Sequence, residues 1–281
     1  MQTVAIVGTG LIGSSFGLAL RRAGFSGRIL GVSSERSLQA AIECRAIDEG
    51  ATLESAASSS DLVYLSQTIS AIIDTLPRLA HCLKPGALVT DAGSTKRTIL
   101  QAAAPLGDAF LGGHPMAGKA SRGASGAEAA LFDGRPYILT PSSPDQMNLP
   151  HVRSFCDWIQ RAGARLVVLT AAEHDRLVAS ASHLPQLLST TLASTLEHSA
   201  DPAAAASVSG PGLRDMTRLA LSSHDIWKDI LETNGDEIAA ALAQIEDHLA
   251  VLRRDLSGPA AESSFAAGRD FSLRLRPGHQ D

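Results

Sequence analysis

The chain has 281 residues, room for one or two domains at ~150 residues each and ample length for a buried core. It carries 24 Lys and Arg against 29 Asp and Glu, a net charge of −5 with no basic tract, so nucleic acid is not an expected partner. Hydrophobic residues make up 44 %, charged residues 19 % and aromatics only 4 %, the balance of a globular protein with a mainly aliphatic core. No stretch approaches the ~18 consecutive apolar residues of a membrane span. The N-terminal apolar run lacks the positive flank of a secretory signal. Cys44, Cys82 and Cys156 are scattered without metal-ligand spacing and read as reduced thiols. The expectation is a cytoplasmic protein with no metal and no membrane contact.

Short β-compatible runs lie at 3–7, 28–32, 62–65, 87–90, 110–112, 137–140 and 165–169. Helical patterns such as 14–23 and 70–82 lie between several of them. This alternation is the mark of βαβ units and a parallel sheet. After residue 170 the strand-like runs stop. Thr170 and Glu173 fit a capping box that opens a long helical stretch over 171–198. A second helical stretch covers 225–255, with 200–208 on the connection between them. The tail from about 257 is rich in Gly, Pro, Ser and charge, and part of it is expected to be mobile. The reading is an α/β domain over 1–170 followed by an all-helical domain over 171–281.

The first strand leads into Gly8-Thr9-Gly10-Leu11-Ile12-Gly13, and a helix pattern follows at once. In that setting G-x-G-x-x-G reads as a dinucleotide loop. Gly8 allows a tight turn, Gly10 lets backbone approach a pyrophosphate, and Gly13 lets the helix pack on the strand. The helix opening at Gly10, Leu11 and Ile12 offers free N–H groups to phosphate. The predicted fold is therefore a doubly wound, mostly parallel Rossmann-type sheet plus the helical C-terminal domain. At the end of the second strand, Ser33-Ser34-Glu35-Arg36 has no acid at the first position. A carboxylate there would hold a ribose 2′-hydroxyl, whereas Ser33, Ser34 and Arg36 suit a 2′-phosphate. NADP is preferred and NAD remains possible, since Glu35 could reach the ribose.

Four further segments carry chemistry. Gly93-Ser94-Thr95-Lys96 follows a strand, at the carboxyl end where parallel sheets bind ligands. His114 sits in Gly112-Gly113-His114-Pro115-Met116-Ala117-Gly118, a constrained loop context. In Ser182-His183-Leu184-Pro185, Pro185 removes a backbone bond and should kink the helix beside His183. The last is Asp215-Met216-Thr217-Arg218, with Trp227 nine residues on.

In this order, the segments resemble the prephenate/arogenate dehydrogenase family of tyrosine biosynthesis over nearly the whole chain. The resemblance implies oxidative decarboxylation of a cyclohexadienol with hydride transfer to a nicotinamide. It implies that His114 accepts the ring hydroxyl proton and that Ser94 bonds that His or the same hydroxyl. It places His183 at the substrate side chain, Arg218 (with Arg214 as a substitute) on a carboxylate, and Trp227 at the pocket. Lys96 is given a lesser binding or orienting role. It also implies a homodimer, with the site in a cleft between domains and no length in these residues for a fused mutase or regulatory domain. His81, His151, His174, His198, His224, His248 and His279 have no comparable context and read as exposed or structural. Ser66-Gln67-Thr68 stands where many members have Thr-Pro. Two other readings stay open. A β-hydroxyacid-type reductase would need a helix-borne Lys, and 171–198 has none. A non-catalytic NADP-sensing module would need the glycine loop without His114, His183 and Arg218.

Overall fold

A computed structural model describes residues 1–119 and 121–276. Eight strands form one sheet: β1 (Thr3–Val7), β2 (Arg28–Val32), β3 (Glu49–Gly50), β4 (Leu62–Leu65), β5 (Leu88–Asp91), β6 (Phe110–Pro115), β7 (Pro136–Thr140) and β8 (Arg165–Val168). Their spatial order is β3-β2-β1-β4-β5-β6-β7-β8, and every pairing is parallel except β6 with β7. Helices α1 (Leu11–Arg22), α2 (Glu35–Glu43), α3 (Leu53–Ser59), α4 (Ile69–Leu79), α5 (Arg97–Ala102) and α6 (Pro150–Arg161) alternate with the strands. The doubly wound, mostly parallel sheet expected from the alternation is present.

The central strands are buried on both faces, so they read as unbroken aliphatic runs instead of alternating ones. Phe16 of α1 stacks on Tyr64 of β4 with ring centroids 4.0 Å apart, one of few aromatic pairs in a core otherwise made of Val, Ile, Leu and Ala. Strand order reverses between β1 and β4, which opens the crevice at the strand carboxyl ends where this architecture binds ligands.

Helices α7 (Ala171–Val178), α8 (Leu184–Glu197), α9 (Pro202–Ser207), α10 (Pro211–Thr217), α11 (His224–Thr233), α12 (Gly235–Arg254) and α13 (Pro259–Arg274) complete the chain. Between α7 and α8 the backbone forms a π-helical turn over Ala179–His183, with Pro185 in the first turn of α8. The expected single helix over 225–255 is broken at Asn234, whose buried side chain bonds elsewhere in preference to supporting the helix. The tail from about 257 carries α13, started by Pro259 at a position where its missing N–H costs nothing. Residues 277–281 lie outside the described residues.

The packing forms two compact units, Met1–Gly235 and the residues from Asp236 on. Helices α7–α11 thus pack with the sheet in the first unit, and the packing division does not coincide with the change of sequence character at residue 170. Among the described residues, no helix is long and apolar enough to cross a membrane.

Candidate active site

The glycine loop sits at the carboxyl end of β1. Gly8 has φ +94°, and a Cβ there would lie 2.8 Å from the Ser66 carbonyl oxygen. A Cβ on Gly13 would collide with the Gly8 carbonyl and the Ser66 hydroxyl. A Cβ on Gly10 would meet nothing within 4 Å. Two glycines are therefore needed for the fold, and the third leaves open space. Ser66 donates to the Gly8 carbonyl at 2.7 Å and braces the loop. Helix α1 starts at Gly10 with no side-chain cap and no acid in its first turn. The N–H groups of Leu11 and Ile12 and the partial positive charge of α1 thus stay available to an anion. This cradle fits a dinucleotide pyrophosphate. Ser33, Ser34 and Arg36 are exposed beyond β2, where Ser34 precedes α2 and its hydroxyl lies 3.0 Å from that of Ser37. Glu35 is also exposed there.

His114 is near the end of β6, held by an antiparallel pairing with Ile138. The residue before it is clamped from both sides. Gly113 N–H donates to Asp91 Oδ1 at 3.0 Å, and the Gly113 carbonyl accepts from Lys96 Nζ at 2.7 Å. Lys96 also pairs directly with Asp91, and both side chains are fully buried. Gly93 N–H donates to Asp91 Oδ2 at 2.8 Å. Burial lowers the Lys96 pKa, against Asp91 and Asp175, which push it up. Lys96 is expected to have a lesser binding or orienting role; its ammonium is shut away from solvent and braces the backbone beside His114.

The imidazole of His114 is tied to two residues that the sequence did not single out. His114 Nδ1 lies 2.8 Å from His174 Nε2, and His174 Nδ1 lies 2.7 Å from Asp175 Oδ1. Asp175 also accepts from Lys96 N at 2.7 Å, from Arg97 N at 2.9 Å and from Arg97 Nε at 3.2 Å. The Thr170–Glu173 capping box starts α7 and so sets the angle at which His174 and Asp175 enter. His174, expected to be exposed or structural, is fully buried and part of the site. The adjacent His-Asp pair just inside a capped helix was the available signal. His279, given the same expectation, lies outside the described residues.

His183 is buried on the π-helical turn, a device that often marks function. Asn234 Nδ2 lies 3.3 Å from His183 Nδ1 and donates to the Asp175 carbonyl at 2.9 Å, while Asn234 Oδ1 accepts from Arg97 at 3.1 Å. Trp227 meets the His183 ring edge-on, with centroids 5.8 Å apart. One polar network therefore joins His114 and His183 through His174, Asp175 and Asn234.

Burial is the main force on these groups. It lowers the His114 pKa well below 6.5, helped by His174, Lys96 and His183. It lowers His174 too, although Asp175 opposes it. It takes His183 down to about 4. Burial by itself would raise the Asp175 carboxyl, but the bonds from His174, Arg97 and Lys96 outweigh it and hold the group below its usual value.

Ser94 is half-buried beside this network, and its hydroxyl makes no hydrogen bond to His114. Arg218 lies on a 3-10 turn after α10, exposed, and its guanidinium makes no hydrogen bond or ion pair among the described residues. Arg214 is exposed as well. The structure gathers His114, His183, Trp227 and the brace of Lys96, and among the described residues no hydrogen bond, ion pair or ring contact joins Arg218 to them.

A family model described as the nucleotide-binding domain of prephenate dehydrogenase matches residues 16–168, starting just past the glycine loop. A second, described as the prephenate dehydrogenase dimerization domain, matches residues 170–267. The chain belongs to the prephenate dehydrogenase family. The prephenate dehydrogenase of Lactococcus lactis subsp. cremoris is 31 % identical over 255 residues, 89 % of this chain and 70 % of that protein. The Aquifex aeolicus prephenate dehydrogenase, solved with hydroxyphenyl propionate and NAD+, superposes with TM-score 0.87 at 29 % identity, over 98 % of this chain and 97 % of that one. Synechocystis arogenate dehydrogenase superposes with TM-score 0.82, also at 29 % identity, over 98 % of this chain and all of that one.

Proposed function

We propose that this chain oxidatively decarboxylates prephenate, with hydride transfer to NADP+. The observation that carries this reading is His114 Nε2. It is the one imidazole nitrogen of His114 without a hydrogen bond among the described residues, in a chain of this family with an open dinucleotide cradle at the same sheet end. A bound nicotinamide supplies the hydride acceptor. The protein orients the ring and manages one proton. His114 takes the C4 hydroxyl proton as hydride leaves C4. Carbon dioxide then departs, its electron pair stays in the ring, the ring aromatises, and the oxygen takes a proton back. Ser94 bonds the same hydroxyl, Trp227 walls the pocket, and Arg218 grips a carboxylate with its two-pronged donor.

The side-chain preference follows from Asn234. Arg97 is donor-only, so the Asn234 oxygen faces it and the Asn234 amide nitrogen faces His183 Nδ1. His183 Nδ1 is then an acceptor, and the ring proton is on Nε2. A neutral donor suits a keto or carboxylate oxygen and opposes an ammonium, which favours prephenate over arogenate. NADP is favoured because Ser33, Ser34 and Arg36 stand exposed where an acid would repel a 2′-phosphate.

We further assign the nucleotide to residues 1–170 and substrate contacts and chain pairing to 171–281. The exposed Leu256, Phe265 and Phe271 around α13 suit a homodimer. A cytoplasmic location fits this metabolism. The test is the initial rate with prephenate and with arogenate, each with NADP+ and NAD+. Prephenate with NADP+ should be fastest. Four flat rates with NADP+ still bound would overturn the reading. His114→Asn should abolish turnover and spare cofactor affinity, a pattern a sensing module would not produce.

A further inference from the structure

We propose that His174 and Asp175 are positioning residues that hold His114 in the tautomer with a bare Nε2. The task given to that nitrogen rests on the function proposed above; the tautomer rests on the hydrogen-bond geometry and on the burial that keeps His174 neutral.

The argument starts at the carboxylate. Asp175 is acceptor-only, and its orientation is set by three N–H donors, Lys96 N, Arg97 N and Arg97 Nε. The proton between Asp175 and His174 therefore belongs to His174 Nδ1. A neutral His174 then presents a lone pair at Nε2. That atom lies 2.8 Å from His114 Nδ1, and two ring nitrogens at this distance need one N–H between them. The proton must come from His114 Nδ1. A neutral imidazole has only one, so His114 Nε2 is bare and can accept.

The opposite pattern needs a cationic His174 donating from Nε2. The charged groups facing this pair are Lys96, Asp91, Asp175 and His183. The His174 ring is fully buried, and burial and Lys96 both work against a second cation there, which outweighs Asp175. Once His114 accepts a proton, its Nδ1–H points along the same line to His174 and the Asp175 charge. The new cation is stabilised without any reorganisation.

The backbone beside His114 is held separately, by Asp91 and Lys96 on Gly113. A change at His174 should therefore free the ring and leave the loop in place. His174→Phe removes the acceptor. It should lower kcat on the order of 10–100-fold, with KM and NADP+ affinity within about twofold of the parent. His174→Gln can offer a carbonyl to His114 and an amide to Asp175, and it should recover most of the loss.

Two-bond 1H–15N spectra of the full-length protein, with His114 assigned from His114→Asn, read the tautomer directly. The proton should lie on His114 Nδ1 in the parent and be shared between both nitrogens in His174→Phe. A parent His114 carrying its proton on Nε2 would overturn the proposal. So would a folded His174→Phe with unchanged kcat. If His174→Phe fails to fold, the parent spectrum still decides. A parent inactive on both substrates would sink the proposed function and leave the spectrum to judge the tautomer.

Discussion

His114, His174 and His183 are imidazoles in one network, and burial makes each harder to protonate than a histidine in water. The working base must be neutral. The acid limb of kcat/KM should therefore lie below the ordinary histidine pKa of 6.5, and a limb at or above 6.5 would contradict the geometry. The same shifts bear on stability. Unfolded histidines take up protons near ~6.5, while folded His183 waits until about 4. The unfolded chain thus binds more protons between these values. The histidine contribution is complete above ~6.5 and is lost as pH falls toward 4. Melting temperatures between pH 8 and 4 should fall across that window, and less steeply in His183→Gln. His114 and His183 could be picked out from their loop and Pro contexts. His174 and Asp175 could not be placed, because contact between residues 114 and 174 depends on how α7 docks on β6.

The glycine loop shows what an element demands from its sequence. Gly13 is needed because α1 passes too close to Gly8 and Ser66 for any Cβ. Gly10 has φ −77°, which alanine adopts freely, and open space around it. Gly13→Ala should cost about 1–3 kcal/mol of stability. Gly10→Ala should leave stability within ~0.5 kcal/mol and weaken NADP+ binding roughly tenfold or more, because its methyl enters the space a pyrophosphate needs. Thermal melts and fluorescence titrations check both. Equal stability losses would mean Gly10 is a folding residue and not a binding one. The break beside Pro185 was legible, but its form was not. A missing N–H dictates only that the α ladder fails, and the π turn at Ala179–His183 is a packing solution. Asn234 has the same lesson: a tolerable helix residue by sequence, it ends α11 because buried partners claim its side chain.

At the scale of the whole molecule, the prediction concerns pairing. Phe265 and Phe271 are 79 % and 59 % exposed on α13, too much apolar surface for a helix that meets only water. Light scattering should give twice the chain mass, and the double variant Phe265→Asp/Phe271→Asp should shift it toward the monomer. A monomeric parent would contradict the homodimer. The sequence by itself determined the βαβ alternation, the dinucleotide loop and the two histidines in glycine and proline contexts, because periodicity and backbone-restricting residues act locally. Tertiary structure alone decided the burial of Lys96, the chain of contacts from Asp175 through His174 to His114, and the pairing of His183 with Asn234. Those depend on distances between residues far apart in the chain, and protonation is set by the neighbours that folding supplies.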